Sequence, residues 1–127
     1  SISLVLDIHR DAVSDADGTP YKVVSNVAGV NAAQMSFIIG TDGGGLEHDG
    51  WQENLKLASA LQQRLLDRFP TLMRPISVRN SRYNQHLTPG ALLVEMGAAG
   101  NSLDEALLSA RLLGQAIAQT FQMEETG

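Results

Sequence analysis

Two segments of the chain repeat apolar residues at the three- and four-residue spacing of an amphipathic helix. The first runs from Trp51 to Phe69, is polar on its opposite side and stops before Pro70. The second begins at Ser102, which together with Glu105 has the spacing of a capping box. Its apolar stripe consists of Leu103, Ala106, Leu107, Ala110, Leu113, Ile117 and Phe121. We therefore predict two long helices.

Shorter apolar runs, bounded by turn residues, predict strands. The second and third runs are separated by a turn at residues 29–31, so we expect them to pair as a hairpin. The strands alternate with the two helices, which predicts a fold of the α/β class with helices packed against a mixed sheet. We expect the first and last strands to be buried, and the five predicted strands cover residues 3–8, 21–24, 34–40, 75–78 and 91–95.

The composition narrows the range of functions. The chain has 127 residues, of which 43% are hydrophobic and 18% charged, as in an ordinary globular domain. No apolar run approaches the roughly 18 residues that span a bilayer. The net charge of −5 and the lack of a basic cluster in the sequence argue against nucleic-acid binding. Cysteine is absent from the sequence, so a metal site would have to use His, Asp or Glu.

The most informative polar residues stand at the ends of two predicted strands. His9 and Glu95 each follow a short run of apolar residues. Ligands of open α/β sheets bind at the carboxyl ends of the strands, so we expect these two side chains to meet at one edge. An imidazole can bind zinc, with Asp7 or Asp11 orienting its second nitrogen, and a carboxylate can take a proton from zinc-bound water. The pair therefore predicts a hydrolytic site.

Structural roles for the same two residues stay open. His9 also fits an ordinary strand-end histidine paired with Asp11. Glu95 also fits a buried ion pair with Arg10 or Arg82. Sequence spacing does not decide between these roles and the catalytic ones.

The remaining imidazoles and two amides are weaker candidates. His48 and His86 could join His9 in a three-histidine zinc site, although nothing in their spacing requires it. Asn54 and Asn84 could hold a peptide substrate. An asparagine on a helix, however, more often caps the helix or bonds locally.

Four segments resemble the stage II sporulation protein P family in sequence, order and spacing. They are residues 7–12 (DIHRDA), 48–55 (HDGWQENL), 82–85 (RYNQ) and 92–97 (LLVEMG). The resemblance covers nearly all of the chain. That family is similar to the zinc-dependent N-acetylmuramoyl-L-alanine amidases, so the resemblance implies an amidase-like fold with a mixed, mostly parallel sheet flanked by helices.

The resemblance also implies a function and a location. It implies a peptidoglycan hydrolase that cleaves the bond between glycan and stem peptide and, as an endopeptidase, the peptide cross-links. The implied role is to thin the septal cell wall during engulfment in sporulation, with stage II sporulation protein D as an expected partner. The implied location is extracytoplasmic, on the membrane at the sporulation septum, and the present chain alone is expected to be a soluble fragment.

The resemblance assigns roles to five positions of this chain. His9 matches a histidine ligand of zinc. Glu95 matches the catalytic carboxylate, which would deprotonate the zinc-bound water and then hand the proton to the leaving amine. Arg10, Asn54 and Asn84 match recurrent polar positions, which we interpret as substrate-positioning residues.

One part of the family pattern has no counterpart in this sequence. It is a His-Thr-His-type segment that supplies a further histidine and a glutamate to the metal, whereas catalytic zinc normally has three protein ligands. We therefore expect residues 1–127 to form the C-terminal portion of a catalytic domain, with an incomplete zinc site and no activity alone. Apolar surface left uncovered would favour self-association. The alternatives are a non-catalytic peptidoglycan-binding or interaction module of the same fold, and an unrelated hydrolase with its own site.

Overall fold

The computed structural model describes residues 3–12, 16–19 and 22–126, with residues 123–126 as backbone only. A short 3-10 turn, Gln85–Leu87, lies before the last described strand, which begins at Ala91. None of the helices described is long and apolar enough to cross a lipid bilayer. The strands and helices are, in chain order, β1 (Val5–Asp11), β2 (Val24–Val27), β3 (Val30–Ala33), β4 (Met35–Gly40), α1 (Trp51–Arg68), β5 (Ser77–Arg79), β6 (Ala91–Ala98) and α2 (Leu103–Thr126).

Four of the strands form one mixed sheet in the order β1-β6-β4-β5. β1 is parallel to β6 and β4 is parallel to β5, whereas the central pair of β4 and β6 is antiparallel. β2 and β3 form a separate two-stranded hairpin, and α2 packs against β3. The prediction of an α/β fold with a mixed sheet and flanking helices is confirmed.

The two helices cover the same face of the sheet. Because side chains alternate along a strand, Leu92, Val94 and Met96 of β6 point to one face and Leu93 and Glu95 to the other. The first set belongs to the hydrophobic core. Helical residues of the same core include Ala58, Leu61 and Leu65 of α1 and Leu112, Leu113 and Ala116 of α2. Glu95 therefore projects from the face that the helices leave uncovered.

The hairpin is present, but its second strand is not the predicted one. β2 pairs with β3 through a tight turn at Ala28 and Gly29, both of which have positive φ values. Such two-residue turns match the twist of paired strands. The predicted partner, β4, is buried at every position and lies in the centre of the main sheet instead. The first strand of the predicted hairpin began at Tyr21, which lies outside the described residues.

β1 is an exposed strand rather than the buried one that was predicted. It extends from Val5 to Asp11 and, within the described part of the chain, pairs only with β6. Ile8 shares the helix-covered face with Val94, yet it is 57% exposed, and Val5 on the other face is 43% exposed. Val5 lies on the face that the helices leave uncovered, and neither helix packs extensively against β1 on the other face.

The two helices begin where the sequence predicts. α1 ends at Arg68, one residue before the predicted end. At the start of α2, the Ser102 backbone N–H donates to Glu105 Oε1 at 2.8 Å and the Glu105 N–H donates to Ser102 Oγ at 3.2 Å, which confirms the capping box.

The apolar stripe predicted for α2 is partly wrong. Leu103 and Leu107 are 73% and 45% exposed, whereas Ser109 and Thr120 are buried. Ser109 Oγ donates to the Ala33 carbonyl, and Thr120 bonds within the helix. These hydroxyls can be buried because each has a partner, and partnered hydroxyls leave no mark in an apolar pattern.

Candidate active site

His9 and Glu95 lie side by side on neighbouring strands. Their Cα positions pair in the parallel register of β1 and β6, so both side chains project from the face opposite the helices. Ser36 of β4 pairs with Glu95 from the other side. Both strands continue beyond these residues, to Asp11 and Ala98, so the pair sits within the sheet and not past its edge. The structure therefore brings together the two residues that the sequence singled out.

Asp7 is the carboxylate that orients His9. Its Oδ1 atom is 2.8 Å from His9 Nε2, and both side chains are about half exposed. The two residues are two positions apart on an extended strand and therefore share a face. Asp11 makes no side-chain ion pair with the residues that the structure describes, and its backbone carbonyl accepts from the Ala99 N–H. With Nε2 engaged, Nδ1 is the ring nitrogen of His9 left to act as a metal ligand.

Glu95 makes no ion pair with any residue that the structure describes. Its Oε2 atom is shielded from solvent and has no hydrogen-bond partner there. Of the two cations considered as partners, Arg82 donates to the Glu47 carbonyl at 3.2 Å, and Arg10 is exposed on β1. The ion-pair interpretation is therefore wrong. A shielded, unpaired carboxylate oxygen is instead suited to exchange a proton with a bound molecule.

A bulge in β6 follows Glu95 directly. His9 pairs with Glu95 and Asp11 pairs with Ala98, so β6 has one more residue than β1 in this interval. Gly97 lies in the bulge with a φ of +76°, and a side chain there would come within 3 Å of Ala33 Cβ. Only glycine combines a positive φ with the lack of a side chain that this close approach to Ala33 requires. Bulges often occur beside active sites, where they change the direction of the strand.

The bulge is held in place by Asn101. Its Oδ1 atom accepts from the Ala98 N–H at 2.8 Å, and its side chain also bonds the backbone of Val23 in both directions. Asn101 Nδ2 in turn donates to Glu105 Oε1 at 3.2 Å. Lys22 Nζ lies 2.9 Å from the other oxygen of Glu105. The hydrogen bond from Lys22, followed by that from the Ser102 backbone, lowers the pKa of Glu105 to about 2, so this buried support is ionised at neutral pH.

Two side-chain amides fix the opposite end of the sheet. Asn54 of α1 is fully buried, and its Nδ2 atom donates to the carbonyls of Thr88, Pro89 and Ala91 at 3.0–3.2 Å. Gln85 bridges to β4, accepting from the Gly40 N–H and donating to the Ile38 carbonyl. Asn54 thus contacts the protein itself, and its role in positioning a substrate stays a prediction. The same holds for Arg10 and Asn84, both of which are exposed.

His48 and His86 form a separate pair of imidazoles. Their rings meet edge to face with centroids 6.4 Å apart. His48 is only 2% exposed, and neither of its ring nitrogens has a hydrogen-bond partner among the described residues. Burial, and then the proximity of His86, lowers the pKa of His48; Asp42 and the Gly40 backbone act in the opposite direction, and Arg82 adds to the lowering.

This histidine pair is remote from His9. Ser36, near the start of β4, pairs with Glu95, whereas Gly40, at its end, lies beside His48. Four residues of extended strand span about 13 Å. The imidazole of His9 cannot share a metal ion with this pair across that distance, so the three-histidine zinc site is wrong.

The lowered pKa of His48 predicts a pH-dependent stability. The ordinary pKa of this histidine is 6.5. As the pH falls through that value, His48 takes up a proton in the unfolded chain more readily than in the folded chain. We expect the free energy of unfolding to fall as the pH is lowered from about 8 to about 5. Urea unfolding across this range would measure the effect. His48→Phe should flatten the curve, and parallel curves for the two proteins would contradict the assignment.

The described residues do not form a complete metal site by themselves. In the described part, no three His, Asp or Glu side chains are arranged to hold a metal ion together. His9 offers one ring nitrogen, and Glu95 offers a shielded oxygen beside it. This set fits one metal ligand with its neighbouring base, and any further protein ligands would have to come from residues outside the described ones.

Three supporting residues were missed by the sequence analysis. Gly97 and Gln85 stood within recognised segments, but their functions depend on contacts with distant strands. Asn101 stood outside those segments, directly before the predicted helix cap. A glycine that interrupts an otherwise continuous buried strand is the signal that could have indicated the bulge.

Comparison with known proteins identifies the family. The sequence profile of the Stage II sporulation protein P family matches residues 1–118. The stage II sporulation protein P of Bacillus subtilis (strain 168) is 30% identical to the chain over 110 residues, which are 83% of the chain and 25% of the relative. The chain thus spans about a quarter of that relative, and no solved structure matches it significantly. Since the profile matches almost the whole sequence, the chain belongs to the stage II sporulation protein P family.

Proposed function

We propose that the chain forms part of the catalytic site of a peptidoglycan hydrolase, an N-acetylmuramoyl-L-alanine amidase. The observation that carries the proposal is the in-register pair of His9 and Glu95 on two parallel strands. It combines a candidate metal ligand with a partly shielded carboxylate on one accessible face. Membership of the stage II sporulation protein P family supports a role in sporulation.

In this proposal, Glu95 acts first as the general base and then as the general acid. It takes a proton from the water that attacks the amide carbonyl, and it gives the proton to the leaving amine as the carbon–nitrogen bond breaks. Its unpaired Oε2 atom is free for both steps because no cation of the described residues competes for it. The Gly97 bulge and Asn101 keep the end of β6, and with it Glu95, in a fixed position.

His9 would hold zinc through Nδ1, since Asp7 occupies Nε2. Zinc, when bound, supplies charge stabilisation and lowers the pKa of water. Two more protein ligands would have to complete the site from outside this chain, so we expect the chain alone to be inactive. In the cell, the whole protein acts on septal peptidoglycan during engulfment, from the outer face of the membrane, together with stage II sporulation protein D. Peptide cross-links are its second class of substrate.

The proposal is tested on an extended protein, in which this chain follows the family's His-Thr-His-type segment. Purified peptidoglycan is incubated with the extended protein and zinc, with the extended protein and a chelator, and with the present chain alone. We expect new amino termini on the L-alanine of the stem peptide in the first sample only. Binding to the wall without any release of peptide would favour the non-catalytic binding module instead.

A further inference from the structure

A cavity of about 380 Å³ opens between the first half of β1, the start of β6 and the segment that precedes β6. We call it the β1 cavity. Val5 and Asp7 line it from β1, and Tyr83, Asn84 and Leu87 line it from the segment. Its volume is in the range of sites that bind small molecules or single side chains of a peptide.

The β1 cavity is continuous with the candidate active site through Asp7. Asp7 is one of the residues that line the cavity, and its Oδ1 atom is the one that lies 2.8 Å from His9 Nε2. A carboxylate has about four lone-pair positions, so Asp7 can accept a second donor without releasing the imidazole. A group bound in the cavity would therefore touch the residue that orients His9.

The wall of the cavity contains a strained stretch of backbone. Tyr83 and Asn84 are consecutive residues with φ values of 52° and 63°, in the left-handed region that residues other than glycine and asparagine rarely adopt. For an aromatic residue it is a marked outlier. The strain is maintained by Gln85, whose side chain bonds β4 at 2.8 and 2.9 Å. Strain that the surrounding structure maintains is typical of residues that bind ligands.

The polar side-chain groups of Tyr83 and Asn84 are not used by the fold. Within residues 3–12, 16–19 and 22–126, neither the side-chain amide of Asn84 nor the hydroxyl of Tyr83 makes a hydrogen bond. Asn84 contributes only its backbone carbonyl, to the Leu87 N–H at 3.3 Å. The residues that line the cavity thus include an amide, a phenol and a carboxylate, together with the apolar Val5 and Leu87.

The charge of the lining selects among ligands. Asp7 is the one charged side chain in the described lining, and no lysine or arginine accompanies it. An anionic group would be repelled, whereas an ammonium group would gain a charge-assisted hydrogen bond. We propose that the β1 cavity binds an aliphatic side chain ending in a primary amine, as found in a diamino acid of a peptide substrate. The substrate class rests on the proposed function, but the binding preference does not require turnover.

The preference is tested by binding to the 127-residue chain. The probes are a tripeptide whose third residue is lysine and the same peptide with the lysine amine acetylated, each titrated by NMR. We expect the acetylated peptide to bind at least about tenfold more weakly, because it loses the charge that Asp7 recognises. Shifts should appear at Asp7, Tyr83 and Asn84.

Substitutions in the chain test which residues cause the preference for the free amine. Asp7→Asn should remove the difference between the two peptides. Asn84→Gly should weaken both by about tenfold, since it removes the amide while glycine tolerates the backbone conformation. Gln63→Ala, on the exposed side of α1, is the matched control and should bind as the unaltered chain does.

Equal affinity for the two peptides, a preference that survives Asp7→Asn, or no binding of either would overturn the inference. These outcomes are independent of catalysis. Wall cleavage by the extended protein without any preference for the amine would overturn the cavity assignment alone. A preference for the amine without cleavage would leave the assignment standing and count against the hydrolase.

Discussion

Replacing Glu95 by glutamine in the extended protein is expected to reduce turnover by about 10²–10⁴-fold, the usual contribution of a general base. Glutamine keeps the shape of the side chain but cannot accept the proton. Because Glu95 has no ion pair in the described structure, the substitution removes no stabilising contact with a cation. We therefore expect the melting temperature and the zinc content to stay unchanged. Release of stem peptide from purified walls is the measurement.

Glu53→Gln provides the matched control for this substitution. Glu53 is an exposed carboxylate in the first turn of α1, and its ion pair among the described residues is with Lys56 at 3.4 Å. The control should keep full turnover. Near-normal activity of the Glu95→Gln protein would mean that another group is the base.

Replacing His9 by alanine is expected to remove both the metal and the activity. Loss of Nδ1 takes away the zinc ligand that we propose for this chain, and we expect zinc affinity to fall by at least about 100-fold. His9 is about half exposed on β1, so the fold should be affected little. Zinc content after dialysis against a weak chelator, together with circular dichroism, measures the two effects separately.

His86→Ala is the control for the metal measurement. It removes an imidazole at the opposite end of the sheet, beside His48. Zinc content should not change. Zinc retained by the His9→Ala protein, or lost from the control, would show that the metal is held elsewhere.

The pattern of apolar residues was sufficient to predict α1 almost to the residue. Its stripe is long and regular, and Pro70 marks its end. The same reasoning failed for β1 because an apolar run does not reveal whether a neighbouring element covers it. It failed for part of α2 because Ser109 is buried through a hydrogen bond to another strand. Local periodicity therefore predicted the elements better than their burial.

The candidate site was partly predictable for a similar reason. A polar residue after an apolar run was enough to single out His9 and Glu95, although both strands continue beyond these residues, to Asp11 and Ala98. Their register, one directly beside the other, was not readable from the sequence. The bulge at Gly97 and its support by Asn101 depend on contacts between segments distant in the chain. The family match excludes the unrelated hydrolase, which the residues alone had left open.

The amides of Asn54 and Gln85 determine how dissolved salt affects the segment that precedes β6. Both attach the segment before β6 through hydrogen bonds between uncharged groups, in buried surroundings. Dissolved ions screen charges but have little effect on such bonds. The position of this segment should therefore be insensitive to ionic strength, from dilute buffer to concentrated salt.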